Sequence, residues 1–153
     1  MFNNKSFCTL PWSHIQINTT GNFKVCCFTG DPEKKIGDHG IATDDSGEVM
    51  NIMTHSISEA MNSKIHRDIR LMQSQGLRHG ACRMCWDKED AGVESMRQLQ
   101  TRRNQGVDGF IHLEDAPANM TEDGRISNLP VYLDIRFGNL CNAKCIHCEP
   151  LYS

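Results

Sequence analysis

No apolar run in this sequence is long enough to cross a bilayer, and the opening Met1-Phe2-Asn3-Asn4-Lys5-Ser6-Phe7-Cys8 has no apolar core of the kind a secretory leader needs. The expectation is a cytoplasmic protein. Basic residues are not in surplus either: 16 Lys and Arg face 19 Asp and Glu, a formal net charge of -3. That balance offers no general attraction to nucleic acid or to an anionic membrane, and neither is expected as a partner. The seven histidines form no HxxH or HExxH pair, so they read as ordinary surface or core residues. His14 and His147 are the two expected near cysteine sets.

Cysteine is what the chain does have, with eight in 153 residues. In a reducing compartment such a set is expected to supply metal ligands or reactive thiols rather than disulfides. Hydrophobic residues at 39% and charged residues at 23% describe a soluble, globular chain. Its length suits one ordinary domain, or a small domain plus a piece of another.

The first cysteines sit on an expected hairpin. Ile15 and Ile17 alternate with polar neighbours over residues 13–20, as in a half-buried strand; Gly21-Asn22 is a turn signal, and Phe23-Lys24-Val25-Cys26-Cys27-Phe28 reads as the returning strand. Alternation would turn Cys26 and Cys27 to opposite sides, with Cys27 a small apolar filler on the far face. Residues 29–54, rich in Gly, Asp and Ser, read as loop. Ser56-Ile57-Ser58-Glu59 forms a capping box, and Met61, Ile65, Ile69 and Met72 follow at helical spacing until Gly76. The methionines of that stripe are expected as core filler. A Cys82-Arg83-Met84-Cys85 knuckle comes next, then a second helix over about 87–103 with Val93, Met96 and Leu99 on one side. Arg97, Arg102 and Arg103 read there as a solvated basic face without a role. Cys8, Cys26, Cys82 and Cys85 together make four ligands, the complement of a closed site; on spacing alone a zinc ribbon and an iron–sulfur cluster suit them equally.

A second cysteine set lies at the other end. Val131, Leu133, Ile135 and Phe137 alternate with Tyr132, Asp134 and Arg136, a two-faced strand that ends at Gly138-Asn139 and leads to Cys141, Cys145 and Cys148. Three thiolates on a CxxxCxxC loop would leave one position of a 4Fe–4S cluster open. A closed structural zinc site would need a fourth ligand, such as His147.

This strand, the Gly138-Asn139-Leu140-Cys141-Asn142 lead-in and the CxxxCxxC spacing resemble the cluster motif of the radical S-adenosylmethionine (radical SAM) superfamily. The resemblance implies a 4Fe–4S cluster on Cys141, Cys145 and Cys148 whose open iron takes S-adenosylmethionine. His147 would stand beside the cofactor, where the family usually has an aromatic or bulky apolar residue. It further implies cleavage to a 5′-deoxyadenosyl radical, hydrogen abstraction from a substrate for which peptides are a family-level expectation, and a reductant such as a flavodoxin or ferredoxin. The Cys8-x12-Gly21-x4-Cys26 spacing, the later CxxC and the Cys8-Thr9-Leu10-Pro11-Trp12 opening resemble the SPASM and twitch auxiliary-cluster modules that accompany such enzymes. That resemblance implies a second iron–sulfur cluster on Cys8, Cys26, Cys82 and Cys85. No residue of the chain is assigned to catalysis itself.

The expected organisation is an α+β chain. Residues 1–104 form a hairpin-plus-helix auxiliary module, 105–128 a polar linker with a short strand at 110–113, and 129–153 the first strand and cluster loop of a radical SAM β/α barrel whose remaining units would lie in a longer protein. The alternative is a small cysteine-rich metal-binding protein, either a zinc-ribbon-like interaction module or an iron–sulfur electron carrier.

Overall fold

The hairpin forms because its turn is chemically closed. Gly21 takes a φ of 83°, a left-handed conformation in which a Cβ would clash, and its N–H donates to the Asn18 carbonyl at 2.9 Å. Asn18 Oδ1 accepts from the N–H groups of Thr20 and Asn22 at 3.0 and 2.9 Å. Strands β1 (His14–Ile17) and β2 (Phe23–Lys24) then pair antiparallel, with Ile17 opposite Phe23. The computed structural model describes residues 5–30 and 40–138. Within them a third strand, β3 (Tyr132–Ile135), lies parallel to β1 with His14 opposite Tyr132, which gives the order β2-β1-β3.

Being central, β1 is buried along its whole length rather than on one face. Its polar side chains are bonded instead of solvated: His14 Nδ1 donates to the Val25 carbonyl at 2.8 Å, and Gln16 Nε2 donates to Asp134 Oδ2 at 3.0 Å. The strand expected at the start of a barrel is present, and within the described residues its sheet partner is the hairpin. The architecture is mixed α+β with a small three-stranded sheet. Residues 40–54, expected as loop, add bridges to the hairpin at Lys24–Ile41 and Asn22–Asn51, and they send Ala42 and Met50 into the core.

Each of the two expected helices is divided by side chains that compete with the helical ladder. Ser56 and Glu59 exchange the two bonds of a capping box at 3.2 and 2.7 Å, starting α2 (Ile57–Met61). The chain then breaks at Asn62-Ser63 before α3 (Lys64–Ser74). There the Asn62 carboxamide trades two 2.9 Å bonds with the Ile126 backbone, and Ser63 Oγ lies 2.8 Å from His66 Nδ1. Leu77 N–H to Met72 and Gly76 N–H to Gln73 close α3 as a Schellman motif. Downstream, α4 (Arg83–Asp90) and α5 (Met96–Arg103) replace the single helix expected over 87–103. Ser95 caps α5 with Gln98 in a second capping box, and Val93 falls in the break, 56% exposed.

Short α1 (Leu10–Ser13) presents Trp12 to the core, where Phe7, Ile15, Phe23, Met61 and Ile111 are also buried. Arg70 of α3 crosses this core with no solvent exposure. Its guanidinium donates to the carbonyls of Gly124, Pro11 and Met61 at 2.8, 2.9 and 2.8 Å, and to Asn62 Oδ1 at 3.2 Å. The stretch expected as a linker is held on this same body. Thr9 Oγ1 donates to the Ile111 carbonyl and the Ile111 N–H donates to Ser13 Oγ, both at 2.8 Å, while Ala116 and Ile126 join the core. No strand occurs at 110–113. A 3₁₀ turn at Ala116–Asn119 follows.

Around β3 the surface is different. Leu129, Val131, Leu133 and Ile135 are exposed, and Phe137 is 95% exposed. No helix among the described residues is long and apolar enough to cross a membrane.

Candidate metal centre

Four cysteines from three separate segments reach one cavity. Cys8 arrives just ahead of α1, Cys26 just after β2, Cys82 from the 3₁₀ turn Gly80–Cys82, and Cys85 from the first turn of α4. All four line the same pocket, whose walls include Leu10, Val25, Phe28, Ile69, Trp86 and Met96. Backbone bonds hold the segments together. Gly30 N–H donates to the Ala81 carbonyl at 2.8 Å, which ties the loop after Cys26 to the CxxC knuckle, and Trp86 Nε1 donates to the His79 carbonyl at 2.8 Å within the knuckle.

The thiols are free, and each is pushed above its ordinary value. Burial is the largest cause at every one of them. For Cys26, burial outweighs the opposing Thr29 hydrogen bond and leaves the pKa at about 11. Cys8 and Cys82 are also raised by burial and, next, by the charge Cys26 would place beside them. At neutral pH these groups are therefore protonated until a metal displaces the protons. Among the described residues no three His, Cys, Asp or Glu side chains form a ready-made single-ion site, and what the four cysteines share is the wall of one cavity.

Sulfur is met by polar groups at two places. Thr29 Oγ1 lies 3.0 Å from Cys26 Sγ and also accepts the Cys26 N–H at 3.1 Å. The backbone N–H of Arg97 donates to the Cys85 sulfur and the Ser95 side chain stands beside it, and both favour its thiolate. Arg97 itself is a correction to the sequence reading. It is only 5% exposed, lines the cavity, and forms a two-armed pair with Glu89 at 2.9 and 2.7 Å. The overlooked signal was the Ser95-x-x-Gln98 capping box, which resets the helical phase and turns Arg97 inward.

Cys27 is also corrected: it is exposed rather than packed on the hairpin's far face, because β2 ends at Lys24 and strand alternation does not extend to it. It stands near Lys24, Asp134 and Arg136. Of the remaining expected site residues, Cys141, Cys145, His147 and Cys148 lie outside the described residues.

In comparisons with known proteins, the family model for SPASM, an iron–sulfur cluster-binding domain, matches residues 8–86. That segment begins at Cys8 and ends one residue past Cys85. No curated protein and no solved structure matches the chain.

Proposed function

This chain belongs to the SPASM family of iron–sulfur cluster-binding domains, and from that premise we propose that Cys8, Cys26, Cys82 and Cys85 hold an auxiliary 4Fe–4S cluster serving a radical SAM reaction at Cys141, Cys145 and Cys148. SPASM domains are iron–sulfur modules typical of radical SAM enzymes. The observation that carries the reading is the arrival of four buried or half-buried thiols, from segments up to 77 positions apart in the chain, on the wall of one apolar cavity.

The donor set fits the cluster. All four groups are sulfur, the ligand such clusters take, and their number closes a cubane. Zinc bound at about 2.3 Å from each sulfur would need the thiols drawn to one point. A polynuclear cluster gives each thiolate its own iron, so four sulfurs on one cavity wall match it one for one. The apolar walls keep water away, and the Thr29 hydroxyl and Arg97 N–H would each donate to a thiolate.

At the second set, three thiolates would leave one iron open to S-adenosylmethionine, whose reductive cleavage supplies a radical for hydrogen abstraction. A flavodoxin- or ferredoxin-like reductant and a peptide substrate follow by analogy with the family. Anaerobic reconstitution of the full chain tests the proposal. Iron and sulfide should load in cluster stoichiometry, and the Cys141→Ala, Cys145→Ala and Cys148→Ala variants should lose any spectral response to S-adenosylmethionine while keeping the first cluster. Stoichiometric zinc at either set, indifferent to S-adenosylmethionine, would overturn it.

A further inference from the structure

We propose that Arg97 is a positioning residue that sets the reduction potential of the cluster held by Cys8, Cys26, Cys82 and Cys85. The inference rests on the auxiliary-cluster reading above.

Arg97 is fastened to both ends of the cysteine set. Its Nη1 donates to the Phe7 carbonyl, next to Cys8, at 2.6 Å. Its guanidinium lies over the Trp86 ring, next to Cys85, at 5.1 Å from the centroid, while the backbone N–H of the same residue donates to the Cys85 sulfur. Glu89, one helical turn beyond Cys85 on α4, holds the fork from behind, and Ser95 Oγ donates to the same carboxylate at 2.5 Å. A buried ion pair is expensive to desolvate, and apolar residues often replace one without loss of stability, so stability alone is a weak reason for this one.

The pair is also oriented. Arg97 lines the cavity beside Cys8, Cys82 and Cys85, whereas Glu89 stands behind it and is not part of the lining. The cavity therefore meets the positive end of the pair. Reduction adds one negative charge to a cluster already ringed by thiolates, and a cation in the dry wall stabilises the reduced state more than the oxidised one. Arg97 raises the potential, and Glu89 restrains that rise.

The test is an anaerobic redox titration of the reconstituted full chain, followed by visible absorption and by electron paramagnetic resonance, with iron content and unfolding measured in parallel. Arg97→Gln is expected to lower the ratio of reduced to oxidised cluster about tenfold at the wild-type midpoint, equivalent to about 59 mV for one electron. Arg97→Lys should restore most of that ratio, and Glu89→Gln should shift it the opposite way. A purely structural role would not move the two neutral variants in opposite directions. Should Arg97→Gln fail to load iron, Glu89→Gln and Arg97→Lys still decide. A Glu89→Gln midpoint that is unchanged or lower, or an Arg97→Lys midpoint as low as charge removal predicts, overturns the proposal. A wild-type protein that binds zinc and shows no redox couple instead overturns the cluster reading, and this inference with it.

Discussion

Arg70 and Arg97 are both buried cations on helices, yet their surroundings assign them different work. Arg70 is satisfied by the carbonyls of three separate segments and by Asn62, with no carboxylate partner among the described residues. Burial lowers its pKa to about 9, so it is still a cation at neutral pH. Arg97 has a carboxylate partner, an aromatic face and a place in the cysteine cavity. A cation whose acceptors are main-chain oxygens pins the chain to itself, whereas a cation paired with an acid beside thiols acts on whatever those thiols hold. The first belongs to the scaffold and the second to the site.

The sharpest way to break this comparison is to remove the scaffold arginine. Arg70→Met would strand its carbonyls in the core and is expected to cost roughly 3–5 kcal/mol of stability, whether or not metal is bound. Chemical denaturation of the metal-free and metal-loaded forms measures it. A loss confined to the metal-loaded form would place Arg70 with the site instead.

Replacing site cysteines should leave the scaffold folded and empty the cavity. Cys26→Ala and Cys82→Ala are each expected to lose most of the N-terminal iron, as read by iron and zinc quantification beside circular dichroism. Full metal content in either variant would remove that cysteine from the ligand set.

Acid should act on the scaffold side. His66 is fully buried beside Arg70, and burial first, then the Arg70 charge, hold its pKa well below the ordinary value. His14 is lowered in the same direction, mainly by burial. The folded state keeps both rings neutral while the unfolded chain takes up protons, so their contribution is present above about pH 6.5 and is lost as pH falls. The slope is about 1.4 kcal/mol per pH unit for each proton taken up only on unfolding. Unfolding measured from pH 7.5 to 5 should show the loss, and His66→Asn should flatten it. An identical slope in that variant would assign the acid sensitivity elsewhere.

A smaller effect is expected at Thr29, whose hydroxyl meets the Cys26 sulfur. Thr29→Val should lower the cluster potential by less than Arg97→Gln does, because a lost hydrogen bond to sulfur weighs less than a lost charge. An upward shift would contradict that. At the end of the scale stands Cys27→Ala, for which unchanged metal content is expected, since the side chain is exposed outside the cavity.

Much of this site was legible in the sequence because its signals are short. The Cys8-to-Cys26 spacing, the CxxC at Cys82 and Cys85, the turn at Gly21 and the Ser56 capping box each occupy a few neighbouring residues. The local backbone obeys them. Where the reading failed, long-range partners had overridden local pattern. Asn62 broke a helix because Ile126 was there to bond it, and Arg97 turned inward because Glu89 and Trp86 were there to receive it. Polar composition also concealed the role of residues 105–128, whose buried apolar side chains, Ile111, Ala116 and Ile126, are spaced too widely to form a periodic stripe.

By itself, then, the sequence determined the donor groups on offer: which residues are cysteines, how they are spaced, and which turns and caps begin and end the elements that carry them. These are properties of neighbouring residues, settled by φ preference and by hydrogen bonds that span three or four positions. Tertiary structure alone decided that β3 lies parallel to β1, that two arginines are buried, and that Cys27 is exposed rather than packed on the hairpin's far face. Each of those outcomes depends on groups tens of residues apart, and only closure of the chain around a common core brings such groups within bonding distance.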